Sequence, residues 1–201
     1  MWRRDIVHEL LWSRELHTDI LPKPIQYIAP SWSWASINHV VSSSRHGNLD
    51  SDFSVIDCGW ELATVQSPFG AVRSGYLRVQ GCLLPVECRW KVSRPSSAES
   101  GPLFRLRRLH IEGYIESGMS LDVNVDSQTR KKGPAEVSLL LVYNEPSSSP
   151  DDRHVAGLIL SQDENGLYSR LGKFLSHELK THEGGLFNLL RKAGPREITI
   201  I

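Results

Sequence analysis

The sequence GYLRVQGCLL (residues 75–84) alternates apolar and polar side chains and decides the fold class of this chain. Leu77 and Val79 fall on one side of an extended chain, and Arg78 falls on the other. A period of two residues is typical of a β-strand with one buried face. The pattern therefore predicts a β-strand, which Pro85 is expected to bend or end.

Segments of similar texture occur along most of the chain, separated by turns rich in Gly, Ser and Pro. Strand-like runs spaced by roughly 8–12 residues are typical of antiparallel sandwiches and barrels. The sequence QDENG between two of them is a turn signal, so we expect a β-hairpin there. The predicted fold class is mainly β, an antiparallel β-sandwich or barrel. The predicted strands cover residues 31–41, 53–65, 75–84, 86–92, 103–111, 121–125, 136–143, 154–161, 167–175 and 196–201.

Short helices are predicted at or near both ends of this β-rich chain. In residues 2–14 four apolar side chains recur at helical spacing, which indicates a short N-terminal amphipathic helix. Near the other end, LFNLLRKA (residues 186–193) favours two helical turns, which Gly194 and Pro195 would end. The four apolar side chains of the first segment are Ile6, Val7, Leu10 and Leu11.

A proline-rich stretch separates the first helix from the predicted strands. Pro22, Pro24 and Pro30 exclude regular helix and favour an extended run. We therefore divide the chain into residues 1–30, an N-terminal helix with a proline-rich extended lead-in, and residues 31–201, a single β-rich domain.

Charge and cysteine content limit the classes of partner and compartment. The 201 residues include 23 Lys and Arg against 23 Asp and Glu. A protein that binds nucleic acids or anionic membranes usually carries an excess of basic residues. We therefore expect no nucleic-acid and no membrane partner. Cys58, Cys82 and Cys88 form no CxxC pair and are predicted to be buried free thiols. The start MWRRDIVHELLW does not resemble a signal peptide, so a cytoplasmic location is expected.

Residues that resemble familiar catalytic and binding motifs do not have the spacing that those motifs require. The two histidines of HELKTHE (residues 177–183) lie five residues apart, whereas a zinc helix needs four, so a solvated polar loop is predicted. Gly166 and Gly172 have the wrong spacing for a phosphate loop, and no GxSxG motif occurs. We expect a protein that is not an enzyme, with no catalytic, metal-binding or cofactor-binding residue and no cofactor. An uncharacterised hydrolase assembled from distant positions stays an alternative.

A basic stretch stands out within the neutral chain. Between residues 87 and 110 six Lys and Arg side chains face two acidic ones, and Arg105, Arg107 and Arg108 form the densest part. Arginine side chains commonly cover the polar face of a sheet, and we expect that here. A basic patch for a nucleic acid or an acidic partner is the alternative.

Trp32 and Trp34 would lie on one side of the strand predicted for residues 31–41. Tryptophan usually packs into a core because it buries a large area, and we expect the same of these two. Exposed indoles that stack on a sugar would instead make the protein a carbohydrate- or small-ligand-binding β-sandwich.

The run YIAPSWSWAS (residues 27–36) resembles a stretch of fungal heterokaryon-incompatibility (HET) proteins. Other segments resemble that family in the same order, and these are LLW (residues 10–12), PFG (68–70), GYLRVQG (75–81), GLIL (157–160), YSRLG (168–172) and REITII (196–201). The residues of the first run that carry the resemblance are Tyr27, Pro30, Ser31, Trp32, Trp34 and Ser36.

The resemblance is to the region that follows the HET domain. The HET domain itself opens with a Tyr-x-x-Leu-Ser-Tyr-x-Trp-Gly-like segment that has no counterpart here. The resemblance implies a non-enzymatic accessory or interaction module of a protein involved in self/non-self recognition and programmed cell death. It also implies a fragment whose partner is the missing N-terminal HET domain or another protein.

No chemical role comes with this resemblance, so we interpret the six motif residues as structural. Trp32 and Trp34 are expected to pack on the N-terminal helix at residues 10–12, which would join that helix to the sheet.

Overall fold

A computed structural model describes residues 6–7, 9–14, 26–37, 40–43, 48–64, 72–88, 117–121, 135–146, 152–179 and 185–201. Over these residues the fold is mainly β. A single turn of 3-10 helix covers Trp34–Ser36, and one α-helix, α1, covers Leu186–Ala193. The strands are β1 (Trp12–Arg14), β2 (Val41–Ser43), β3 (Ser54–Leu62), β4 (Val72–Cys88), β5 (Ser117–Leu121), β6 (Ala135–Pro146), β7 (Asp152–Gln162), β8 (Tyr168–Leu179) and β9 (Pro195–Ile200).

These strands form two sheets. β1 and β2 make a two-stranded antiparallel sheet, and the other seven strands share one sheet with the order β3-β4-β6-β7-β8-β5. β9 lies outside this path, because it pairs antiparallel with β4 along six residues and in parallel with β8 at one position. The hydrogen-bonded path from β4 through β6, β7, β8 and β9 therefore returns to β4.

The strand predicted for residues 75–84 is the middle of the much longer β4. Its alternation is confirmed, because Leu77 and Val79 are fully buried while Arg78 is exposed. The prediction that Pro85 bends or ends the strand is wrong, since Pro85 pairs with Ser138 and β4 continues beyond it. Around Pro85 the described strand that pairs with β4 is β6. The backbone nitrogen of Pro85, which has no hydrogen to donate, can therefore face away from β6. A separate strand beginning at residue 86 is wrong for the same reason.

The central strands β6 and β7 are buried on both faces. Every residue in 137–143 and in 155–160 is buried. Because neighbouring residues of a strand point to opposite faces, these apolar runs serve two cores. Leu140 belongs to a core that also contains the apolar residues of segment 6–11, and Leu139 belongs to a core covered by α1.

The predicted hairpin between β7 and β8 is confirmed. The carboxylate of Asp163 accepts the backbone N–H groups of Asn165 and Leu167 at 3.0 and 2.8 Å. Gly166 has a φ of 81°, a left-handed conformation that glycine adopts without a steric penalty. Local side-chain chemistry therefore closes this turn.

The C-terminal predictions are also confirmed. α1 ends at Gly194, whose φ is 79°, and its N–H donates to the carbonyl groups of Leu190 and Arg191. The closing strand joins the main sheet as β9, where Ile198 and Ile200 are buried.

The structure does not support the N-terminal amphipathic helix. Ile6, Val7 and Glu9 have helical backbone, but the chain turns at Leu10 and Leu11 and continues as the strand β1. The cause is tertiary, because two cationic side chains of β8 donate hydrogen bonds to backbone carbonyl groups of residues 10–12. Those carbonyl groups are thereby satisfied without a continuing helix.

The strand predicted for residues 31–41 is wrong over most of its length. Residues 31–33 turn, and Trp34–Ser36 is a 3-10 turn. Among the residues of 31–41 that the structure describes, only Val41 belongs to a strand, β2. The hydroxyl of Ser33 accepts the N–H of Ala35 at 3.3 Å and caps the 3-10 turn. Such local side-chain hydrogen bonds compete with an extended ladder, and a period of two in Ser and Trp does not reveal them.

Several predictions fall outside the described residues. They are the strand at 103–111, the basic residues Arg105, Arg107 and Arg108, the second histidine of HELKTHE and most of the proline-rich lead-in. Across the described part of the chain, we find no helix with the length and apolar character needed to cross a bilayer.

Candidate functional site

The segment 27–36 lies where the N-terminal segment, β4, β8 and the C-terminus meet. Pro30 is buried, and its ring packs so closely on Gly75 of β4 that a Cβ at Gly75 would overlap it. A glycine at this position therefore allows the segment to approach the sheet.

Ser31 connects three parts of the chain. Its backbone N–H donates to the carbonyl oxygen of Ile201 at 3.1 Å, and its hydroxyl group contacts the same oxygen. The same hydroxyl accepts the backbone N–H of Arg170 in β8 at 2.9 Å. The hydroxyl of Ser36 donates to the carbonyl oxygen of Ser31 at 3.4 Å, which holds the turn in shape.

The two tryptophans of the segment have different environments. Trp32 packs against the core that contains Leu10 and Leu11, and its carbonyl oxygen accepts the indole N–H of Trp12 at 3.1 Å. The predicted packing on residues 10–12 is therefore confirmed for Trp32. The expectation that Trp34 packs into a core is wrong, since Trp34 is 55% exposed.

A buried arginine fixes the N-terminal segment to the sheet. Arg170 is 4% exposed, and its guanidinium group donates to the carbonyl oxygens of Leu10 and Trp12. The group also stacks on the Trp12 ring with 3.6 Å between its carbon and the ring centroid. Lys173, on the same strand, donates to the carbonyl oxygen of Leu11 at 3.2 Å. Sequence reasoning missed Arg170, since a single arginine in a strand gives no signal of burial.

The exposed aromatic side chains near this segment define a candidate contact area. Tyr27 and Trp34 are 51% and 55% exposed, and Trp60 of β3 is 54% exposed. Trp60 pairs directly with Gly75, against which Pro30 packs. Tyr27 precedes Pro30 by three residues, a reach of about 10 Å at most. We call the three exposed rings, Tyr27, Trp34 and Trp60, the aromatic surface.

An ionic cluster joins α1 to the residues before β3. Arg191 of α1 binds Asp50, whose side chain is fully buried, at 2.8 Å, and it also binds Asp52. The Cys82 thiol lies 3.7 Å from a carboxylate oxygen of Asp52. Asp50, Asp52 and Cys82 are close enough to share a metal ion, but the guanidinium group of Arg191 already binds both carboxylates.

Cys82 is a buried free thiol, as predicted, whereas Cys58 is a free thiol that is only half-buried. Burial raises the pKa of the Cys82 thiol above its ordinary value, which keeps the group protonated and a weak nucleophile.

A surface cavity of about 330 Å³ lies between the β7–β8 turn and β9. Gln162, Leu167, Arg196 and Thr199 are among the residues that line it. The amide of Gln162 already donates to the carbonyl oxygen of Gly166 at 3.3 Å. The cavity is open and has a mixed polar and apolar lining, which does not define one ligand class.

The first residues of the rejected zinc motif, HELKTHE, belong to a strand. His177 and Glu178 belong to β8, so the solvated loop predicted for residues 177–183 is wrong at its start. Glu178 accepts the backbone N–H of Phe187 at 3.0 Å, which leads into α1. Ser176 and Glu178 lie on one face of β8 and His177 on the other, so these three side chains do not form a hydrolytic triad.

Comparison of this chain with protein-family models, curated proteins and solved structures gave no match. The similarity to HET proteins therefore stays a prediction from the segments quoted above.

Proposed function

We propose that this chain is a non-enzymatic interaction module of a HET-type incompatibility protein, and that it binds a protein partner through the aromatic surface. The observation that carries the proposal is that some residues of segment 27–36 make contacts within the fold while others are exposed to solvent. Pro30, Ser31 and Trp32 contact other parts of the fold. Tyr27 and Trp34, in contrast, are more than half exposed.

Exposed aromatic rings on a firmly held segment suit protein recognition. Tyrosine and tryptophan are enriched among the residues that dominate binding energy at interfaces. The segment that presents Tyr27 and Trp34 is held by the hydrogen bonds of Ser31 to β8 and the C-terminus, so little ordering entropy would be lost on binding. The partner with the strongest support is a HET domain, because the resemblance places this region directly after one.

The test is a calorimetric titration of the whole chain with a separately purified HET domain. We expect Trp34→Ala and Tyr27→Ala each to weaken binding by at least about tenfold, as removal of an interface anchor does. Tyr76→Ala is the matched control, because Tyr76 is 40% exposed but lies on the opposite face of β4 from Gly75. Absence of binding, or equal affinity in all three variants, contradicts the proposal.

A carbohydrate-binding module is the second candidate. Tyr27 and Trp34 are exposed aromatic rings on one short segment, which is a common arrangement for stacking on sugars. A glycan screen that shows binding to the wild-type chain and not to Trp34→Ala would favour this function over protein recognition.

For the architecture, we infer a small closed barrel formed by β4, β6, β7, β8 and β9. The support is the double pairing of β9, antiparallel to β4 and in parallel with β8. A sandwich would leave two sheets with separate edges, whereas this path of pairings returns to its starting strand.

A further inference from the structure

Three polar side chains with metal-binding groups form a row across the main sheet. Glu145 of β6 pairs with His154 of β7, and His154 pairs with His177 of β8. Directly opposed residues in antiparallel strands point to the same face, with Cβ atoms about 4.5–5.5 Å apart. The row therefore places two imidazoles and a carboxylate side by side on one face.

The two imidazoles are in direct contact. Their ring centroids lie 4.0 Å apart, with 51° between the ring planes. His154 is half-buried and His177 is exposed, so the pair is accessible from solvent. Two nitrogen ligands of one tetrahedral Zn²⁺ lie roughly 3.3 Å apart, given Zn–N distances of about 2.0–2.1 Å. Small side-chain rotations would bring one nitrogen of each ring to that separation.

Two cationic side chains on neighbouring positions in the described part of the chain make contacts elsewhere. Arg153 lies on the opposite face of β7, where its guanidinium carbon is 3.7 Å from the Phe187 ring centroid. Lys173 shares the face of His177, but its amino group donates to the carbonyl oxygen of Leu11. In the cluster of Asp50, Asp52 and Cys82, by comparison, the guanidinium group of Arg191 is bound to both carboxylates.

We propose that His154 and His177 bind a divalent transition-metal ion of the Zn²⁺ class, with Glu145 as a carboxylate ligand and water completing the coordination. Imidazole is the commonest protein ligand for such ions, and two histidines with one carboxylate form a frequent ligand set. The ion would link β6, β7 and β8 at one end of the sheet. This site is independent of the aromatic surface, which involves other strands.

The test is a calorimetric titration of the full chain with ZnCl₂. We expect His154→Gln and His177→Gln each to weaken one Zn²⁺-binding event by at least about tenfold, and Glu145→Gln to weaken the same event by a smaller factor. Cys82→Ser is the control for the other cluster and should leave this event unchanged.

Thermal unfolding gives a second measurement. Because an ion that binds only the folded chain stabilises it, ZnCl₂ should raise the Tm of the wild-type chain and of Cys82→Ser, and leave the Tm of His177→Gln unchanged. His177 is exposed, so this variant should fold even if the half-buried His154 does not tolerate substitution. Equal Zn²⁺ affinity of wild type and His177→Gln, or loss of binding in Cys82→Ser alone, overturns the proposal.

Discussion

At the residue scale, Arg170 holds the N-terminal segment, residues 6–14, by hydrogen bonds to backbone carbonyl groups. Its guanidinium group satisfies the carbonyl oxygens of Leu10 and Trp12 in a buried position. Removing a donor from buried acceptors leaves them without hydrogen bonds, which costs about 1–3 kcal/mol for each group.

We therefore expect Arg170→Met to lower the free energy of unfolding by about 3 kcal/mol, as measured by urea denaturation. Arg78→Ala is the matched control, because Arg78 forms an exposed ion pair with Glu197 at 3.5 Å. Such pairs contribute about 0–1 kcal/mol. Similar losses in the two variants would show that the buried hydrogen bonds of Arg170 contribute little.

Gly157 is a second residue on which packing depends. A Cβ at Gly157 would overlap the carbonyl oxygen of Leu140 and the ring of Phe174. Gly157→Ala should therefore lower the unfolding free energy by about 3 kcal/mol, since backbone of a central strand must move.

Gly166→Ala provides the comparison for Gly157→Ala. Gly166 has a φ of 81° and no neighbour closer than 3.6 Å to an added Cβ, so only backbone strain of about 1 kcal/mol is expected. Chemical denaturation of both variants shows which substitution lowers the unfolding free energy more. A larger loss in Gly166→Ala would contradict the packing argument.

At the element scale, α1 is held to the rest of the fold by both apolar and ionic contacts. Leu186 and Leu190 are fully buried in the core beneath it. Arg191 adds the bonds to Asp50 and Asp52, which tie the helix to the turn before β3. Asp50 also accepts the N–H of Asp52 at 3.0 Å, so one buried carboxylate supports both the turn and the helix.

Asp50→Asn should lower the unfolding free energy by about 2 kcal/mol, because a charged hydrogen bond to Arg191 is replaced by a neutral one or lost. Asp52→Asn should cost less than about 1 kcal/mol, since the Asp52 side chain is 38% exposed. Hydrogen exchange of the α1 amides, measured in both variants, should show faster exchange only in Asp50→Asn. Equal effects would mean that burial of Asp50 does not matter.

The elements with local signals were predicted well, and those set by distant contacts were not. The β7–β8 hairpin and α1 follow from QDENG and from Gly194, because a turn or a cap depends on neighbouring residues. The N-terminal helix failed because Arg170 satisfies carbonyl groups of that segment from far along the chain. The strand at 31–41 failed because the Ser33 hydroxyl caps a 3-10 turn, which the period of two in Ser and Trp conceals.

The candidate site was predicted in part. Segment 27–36 was singled out by its resemblance, and the packing of Trp32 on residues 10–12 was confirmed. Exposure of Trp34 was not predicted, because it results from a 3-10 turn that the period of two conceals. The row of Glu145, His154 and His177 has no sequence spacing to reveal it, since its members come together only through strand register.

At the scale of the whole molecule, β9 connects the two ends of a series of strand pairings, because it pairs with both β4 and β8. It covers β4 along six residue pairs and reaches β8 through the N–H of Ile201, which donates to Tyr168 at 2.8 Å. Its buried side chains, Ile198 and Ile200, complete the core that also contains Leu77.

Deleting residues 195–201 should abolish cooperative thermal unfolding and near-UV circular dichroism, because the core loses one side and β4 gains an exposed edge. Addition of a synthetic peptide of residues 195–201 should restore both signals in part. Glu197→Ala is the control, since its exposed side chain leaves the backbone pairing intact. A truncated chain that unfolds cooperatively would show that the pairing of β9 with β4 and β8 is dispensable.

The sequence by itself determined the fold class, most strand positions, the β7–β8 hairpin, α1 and the closing strand, because apolar periodicity and turn chemistry act over a few residues. The tertiary structure decided the path of segments 6–14 and 27–36, the length of β4, the burial of Arg170 and the meeting of His154 with His177. These features depend on contacts between residues distant along the chain, whose energies no local pattern records.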